Sequence, residues 1–266
     1  MRRFDLKSLG FACLLFGSLA FTSCQQELLD SPNSGIANGS GSVSLELNAL
    51  VGFDNKTKAL EESKYSNFND YKVQIWSGSS MKQEFLFKDR PSSIPLANGS
   101  YMLKAFYGNE HAASRDEFYV YGDKAFGVSG KQNETVSISC VPTCAKVKVD
   151  FDTKMETYFT DYKVVYDTKA LKGSTTATWS KADKDPWYLK VEENGETVTA
   201  KITLTPKAEY ETESATVVQT KLMKPNEGWT LKVAPEYKQG QLGLTITIDE
   251  STEDQTIDII IPSNWK

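Results

Sequence analysis

The chain has 266 residues, with 30 Lys and Arg against 35 Asp and Glu, a single histidine and four cysteines. An acidic balance repels a phosphate backbone, which speaks against nucleic acid as a partner, and one histidine beside so few thiols speaks against a zinc site. Tyr, Thr, Val and Phe are plentiful while long amphipathic helical patterns are scarce, so the expected class is all-β.

At the amino terminus Arg2, Arg3 and Lys7 precede an uncharged apolar run from Leu9 to Phe21. The run has the length of a secretory signal core, about 7–15 residues, and falls short of the roughly 20 needed to span a bilayer. It ends in Phe21-Thr22-Ser23-Cys24. Small side chains before Cys24 suit a signal peptidase, and only a thiol can form a thioether to diacylglycerol. The stretch resembles the lipobox of bacterial lipoproteins, with Phe21 where Leu is commoner. The resemblance implies cleavage before Cys24, acylation of that cysteine by chains such as palmitate, and anchoring in the outer membrane without a transmembrane helix. Each buried methylene contributes about 0.8 kcal/mol, and stable anchoring takes about two chains. Ordinary signal cleavage is the alternative reading. Glu27 and Asp30, interrupted by Leu28 and Leu29, resemble the surface-export signal of Bacteroidota lipoproteins and favour the cell surface over the periplasmic face. The Ser-, Asn- and Gly-rich stretch from Ser31 to Ser42 reads as a flexible tether.

Residues 1–23 are thus the signal peptide and 24–42 the tether. The mature chain from Cys24 has 27 basic and 34 acidic residues, because three of the former and one of the latter leave with the signal. Its length suggests two domains. Alternation marks the strands in order: Val43, Leu45, Leu47, Ala49 and Val51; Val73 and Ile75; Val147, Val149 and Phe151; then Leu242, Leu244, Ile246 and Ile248. Turn signals stand at Asn98-Gly99, Asn194-Gly195, Asn226-Glu227-Gly228 and Gln239-Gly240. The best helix candidate is short, with Phe151, Met155, Tyr158 and Phe159 at helical spacing.

An internal repeat is visible. Phe68, Asp70, Tyr71, Lys72 and Val73 match Phe159, Asp161, Tyr162, Lys163 and Val164, and in each case an Asn-Gly turn and another strand follow. Alternation buries each tyrosine and turns each lysine outward, and the aspartate is expected to cap backbone N–H groups before the strand. Two tandem β-sandwiches follow, 43–144 and 145–266. Cys140 and Cys144 lie just before their border, flanking a strand break around Pro142, and are read either as a disulfide or as two buried thiols.

The first strand SVSLELNAL, the strand DYKVQIWSG, the segment IPLANGSYMLKAFYGN and a second β-domain together resemble the fimbrillin-like lipoproteins of the Bacteroidales. The ending LGLTITIDESTEDQTIDIIIPSNWK resembles more narrowly a lipoprotein family of unknown function from gut Bacteroides. The resemblance implies transthyretin-like or Ig-like sandwiches and a surface role in adhesion or fimbria assembly, as anchor, tip or stand-alone protein. Fimbrillins mature by cleavage after an arginine near the first strand, which frees a groove for a strand donated by the next subunit. Here no arginine lies between Cys24 and Arg90, only lysines such as Lys56 and Lys58, so the first strand is expected to stay paired and the protein to be monomeric.

Catalytic signatures are sparse. A nucleophilic triad would have to gather round His111, with Ser100 or Ser114, and neither sits in an elbow-like context. The acidic stretch from Asp249 to Asp254 reads as a solvated turn rather than a calcium loop. Non-catalytic glycan binding is the alternative function, with Trp179, Trp187, Tyr107, Tyr119 and Tyr121 as candidate stacking rings and core filling as their competing role. The expected partners are the outer membrane through the lipid, and fimbrial subunits or host or dietary glycans. No cofactor, metal or enzymatic activity is expected.

Overall fold

The computed structural model describes residues 39–53, 62–130, 133–210, 214–238, 241–249 and 255–260. Cys24, the signal and most of the tether therefore lie outside the described residues, as do Lys56, Lys58, the Gln239-Gly240 turn and residues 250–254 of the acidic stretch.

The chain is all-β and sandwich-like. Its first strands are β1 (Ser40–Ala49), β2 (Lys72–Ser77), β3 (Ser80–Leu86), β4 (Ile94–Ala97), β5 (Gly99–Tyr107), β6 (Ala113–Ser114), β7 (Val120–Val128) and β8 (Asn133–Pro142). After Thr143 come β9 (Cys144–Phe151), β10 (Phe159–Asp167), β11 (Thr178–Ser180), β12 (Trp187–Lys190), β13 (Glu196–Pro206), β14 (Ala215–Met223), β15 (Gly228–Lys238), β16 (Gln241–Asp249) and β17 (Gln255–Ile260). Among the described residues the α-helices are single turns, α1 (Ser63–Ser66) and α2 (Met155–Tyr158). The helix expected around Met155 is thus one turn long, ended where Phe159 adopts extended backbone and opens β10.

Three sheets result, ordered β3-β2-β5-β7-β8-β1-β4, β11-β10-β13-β14 and β17-β16-β15-β9-β12-β6. Their pairings repeat. β1 runs parallel to β8 and antiparallel to β4, and β9 runs parallel to β15 and antiparallel to β12. Likewise β2 lies between β3 and β5, and β10 lies between β11 and β13. The repetition ends at one edge. β7 pairs with β8 and closes the first set, whereas β15 takes β16 on that side and leaves β14 as an edge strand among the described residues. Apolar residues between Val43 and Cys144, joined by Tyr188, form one buried cluster, and those between Ala145 and Ile246 form another.

The six-residue repeat behaves as alternation demands. Tyr71 and Tyr162 are buried, Val73 and Val164 are buried, and Lys72 and Lys163 point outward. The aspartates do not cap backbone. Asp70 takes the Lys88 ammonium at 3.3 Å and the Asn67 amide at 3.5 Å. Asn67 itself does the local capping, because its side-chain oxygen accepts from the N–H of Asn69 two residues on and forms an Asx turn, and Asp161 already stands exposed inside β10.

Cys140 and Cys144 are free thiols, both buried. No bridge joins them because Cys140 belongs to β8 and Cys144 starts β9 in a different sheet. Cys140 donates to the carbonyl of Ala105, and burial pushes its pKa up to about 12 and that of Cys144 higher still. Both are therefore poor nucleophiles.

Candidate functional site

β5 and β7 turn one face inward and one outward. Leu103 and Ala105 are buried, while Met102, Lys104 and Phe106 face the other way beside Ala125, Asp123 and Tyr121 of β7. The residue before β7 adds a ring to this outer face. Phe106 and Tyr119 have ring centroids 5.9 Å apart, and Tyr119 and Tyr121 stack at 6.0 Å. All three rings are half-buried, so each keeps part of its surface open.

Beside them lies a groove of about 450 Å³ where β7 and β8 meet the loop after β12. Tyr121, Gly122 and Asp123 line one wall, Ser139, Val141 and Pro142 the floor, and Lys190 and Glu193 the far side. Gly122 is required there. A Cβ at that position would sit 2.4 Å from the carbonyl oxygen of Ser139, so only glycine lets β7 approach β8 this closely. Lys190 is held by Glu110 at 2.9 Å, which leaves the carboxylates of Asp123 and Glu193 as acceptors around the phenols. Burial raises the Tyr121 pKa, with Asp123 adding to it, and burial pushes Tyr119 up to about 12, with Tyr121 and Glu110 adding. Both hydroxyls therefore stay protonated and able to donate. The groove thus combines partly open ring faces, hydrogen-bond donors and carboxylate acceptors, and its lining carries no histidine or thiol.

The other candidate rings lie elsewhere. Tyr107 packs between Tyr65 and Tyr71, at 5.3 and 5.5 Å, and belongs to the core rim. Trp179 is 1% exposed and fills the second cluster, so it offers no stacking face. Trp187 is half-buried under Arg115, whose guanidinium lies 4.5 Å from its ring and 5.1 Å from that of Trp179. Arg115 also donates to the carbonyls of Asp185 and Thr178, at 2.6 and 3.0 Å, and pairs with Asp183 at 3.0 Å. It occupies the face of Trp187 that a sugar would need. His111 bonds Glu117 at 2.7 Å, and the Ser114 hydroxyl accepts from the N–H groups of Asp116 and Glu117, which is a turn rather than a nucleophile site.

Of the rings singled out in the sequence, Tyr121 lines this groove and Tyr119 stacks on it, whereas Phe106, Asp123, Lys190 and Glu193 were not singled out. The outward parity of Met102, Lys104 and Phe106 is readable in SYMLKAFY. Lys190 and Glu193 reach the groove only through the pairing of β12 with β9 and β6, which no local pattern announces.

The family model described as Domain of unknown function (DUF4493) matches residues 39–263. No curated protein matches the chain. Among solved structures, it is similar to a proposed polysaccharide-binding protein (DUF1812) from Bacteroides thetaiotaomicron, at 11% identity and a TM-score of 0.42 over 85% of this chain and 99% of that one. It is also similar to a fimbrial assembly protein from Parabacteroides distasonis, at 10% identity and a TM-score of 0.36 over 83% of this chain and 99% of that one. A proposed adhesin from Bacteroides ovatus gives 9% identity and a TM-score of 0.41 over 83% and 95%. Likeness at this level carries neither ligand nor partner across.

Proposed function

We propose, for a chain that belongs to the DUF4493 family, an adhesive rather than enzymatic role: a lipoprotein anchored through Cys24 on the outer-membrane surface, built of two sandwich domains, 43–144 and 145–266, and holding a neutral glycan in the groove beside Tyr121. The observation that carries this reading is the meeting of the Tyr121 ring, on which Tyr119 stacks, with the carboxylates of Asp123 and Glu193 at one groove. Sugar rings present an apolar C–H face to an aromatic ring and a rim of hydroxyls to carboxylates, so this combination suits a neutral pyranose. An anionic sugar would meet three carboxylates and one already paired ammonium.

A glycan array probed with the unlipidated mature chain tests the ligand. Binding should fall at least about tenfold, about 1.4 kcal/mol, in Tyr121→Ala and persist in Trp187→Ala. A blank array, or loss only in the tryptophan variant, refutes the groove. The anchor has its own test: Cys24→Ala should lose palmitate labelling and leave the membrane fraction.

The position of β1 favours a stand-alone protein over a polymerising subunit. β1 pairs along both edges, with β8 and with β4, and buries Val43, Leu45 and Leu47, so the place a donated strand would take is filled by the chain itself. Amino-terminal sequencing of protein recovered from cells should give a chain starting at Cys24. A start near residue 57 or 59, in a detergent-resistant ladder, would restore polymerisation.

A further inference from the structure

Where β1 enters the fold determines how a pull on the protein is borne. β1 is parallel to β8 in unbroken register from Ser42 opposite Asn133 to Ala49 opposite Cys140. The N–H of Leu50 then reaches the carbonyl of Cys140, and the Asn226 side chain clips both Leu50 and Gly52. The start of β1 therefore lies at one end of this strand pair. The groove lies at the other, since Ser139, Val141 and Pro142 of β8 form its floor. In a parallel pair the start of one strand and the finish of the other are at opposite ends, and the ladder bonds run across the line joining them.

We infer that the chain is a load-bearing link, in which tension between the membrane anchor and a partner in the groove acts along β1 and β8 and is shared by the whole ladder at once. This rests on the readings of Cys24 as anchor and of the groove as partner site. The tether delivers force to Ser40, and the partner delivers the opposing force at the far end of β8. Every residue pair from Ser42 to Ala49 must then slip together. Ser42 and Asn133, Ser44 and Thr135, and Glu46 and Ser137 add side-chain bonds on the same ladder, at 3.2, 3.4 and 2.8 Å. Pulling the same two strands apart from one end would instead break these bonds one after another. Beyond Thr143 the arrangement recurs, with β9 parallel to β15 from Lys146 opposite Gly228 to Phe151 opposite Val233.

Single-molecule force spectroscopy on the unlipidated mature chain separates the two geometries. The Cys24 thiol serves as one handle, while Cys140 and Cys144 are too buried to react. The second handle is an introduced cysteine on β8, either Val141→Cys at the groove end or Glu134→Cys at the β1-start end, both exposed positions. Rupture through Cys24 and position 141 should need at least about twice the force of rupture through Cys24 and position 134, because forced unfolding follows the barrier met along the pulling direction. Ser139→Cys replaces Val141→Cys if circular dichroism shows that variant misfolded. Equal forces, or a weaker 141 geometry, overturn the inference while leaving the anchor and glycan experiments to stand or fall separately.

Discussion

Replacing Arg115 with alanine should destabilise the protein well beyond an ordinary surface change. Its guanidinium is engaged on all sides, with two carbonyl acceptors, the Asp183 carboxylate and two indole rings, and the side chain is only 19% exposed. A hydrogen bond to a charged group contributes about 1.5–3 kcal/mol, a partly desolvated cation–π contact about 1 kcal/mol, and an ion pair with a carboxylate near the surface less than about 1 kcal/mol. These contributions overlap, and alanine no longer incurs the about 2 kcal/mol of rotamer entropy that ordering the arginine costs, so the net loss expected is about 2–3 kcal/mol. For a body of this size that corresponds to a fall in Tm of about 5–10 °C. Arg115→Lys keeps the charge but loses the planar fork, and should recover less than about half of the loss. Thermal unfolding followed by circular dichroism measures the shift, and tryptophan emission should report the opening around Trp179 and Trp187. A fall of less than about 1 °C in the alanine variant, or full recovery by lysine, would refute the view that this contact fastens the β6–β7 loop to the loop after β11.

Tyr71→Phe should cost about 1–2 kcal/mol, because its buried hydroxyl donates to the Tyr65 carbonyl at 2.6 Å, whereas Tyr162→Phe should stay within about 0.5 kcal/mol since the ring keeps its 4.6 Å packing on Phe151; chemical denaturation compares them. Gly122→Ala should cost about 1–3 kcal/mol and abolish groove binding, since its Cβ would force β7 away from the Ser139 carbonyl; wild-type stability and affinity would contradict the clash. The Glu117 carboxyl is held below the usual carboxylate range by the His111 hydrogen bond, with Asn109 assisting and burial opposing. A depressed folded-state pKa stabilises above the unfolded value and ceases to do so as pH falls through the folded one, so His111→Ala should weaken the fold at neutral pH and not in strong acid. Carboxyl NMR should find the Glu117 pKa higher in that variant, and an unchanged value would break the link.

Most strands were legible because half-buried strands impose a period of two, and Leu45, Leu47, Leu244 and Ile246 meet the core as that period requires. The repeated tyrosines were legible for the same reason. The Asp70 cap was not, because Asn67 competes for the same backbone with a better-placed side chain. Trp179 and Trp187 lie close in sequence around an exposed charged loop, which suggested open rings, but Arg115 arrives from more than sixty residues away and covers one while the core takes the other. The groove was half legible. Tyr121 stacks on Tyr119 two residues before it, whereas Glu193 joins Tyr121 at the groove through long-range pairing that leaves no local trace.

The parallel partner of β1 follows long after it in the chain. Ser42 and Asn133 are separated by 91 residues, so β1 must wait for nearly the whole of the intervening chain before its ladder can close. Closing so long a loop is slow compared with the local hairpin of β2 and β3, whose strands are joined by a short turn. During that interval β1 has only its four-residue pairing with β4, and its other edge, beside three apolar side chains on one face, is a template for misassembly with any other open edge. Refolding should therefore show a slow final phase that docks β1, with aggregation competing against it in proportion to protein concentration. Shortening the path between Ala49 and β8 should accelerate that phase without altering the folded state.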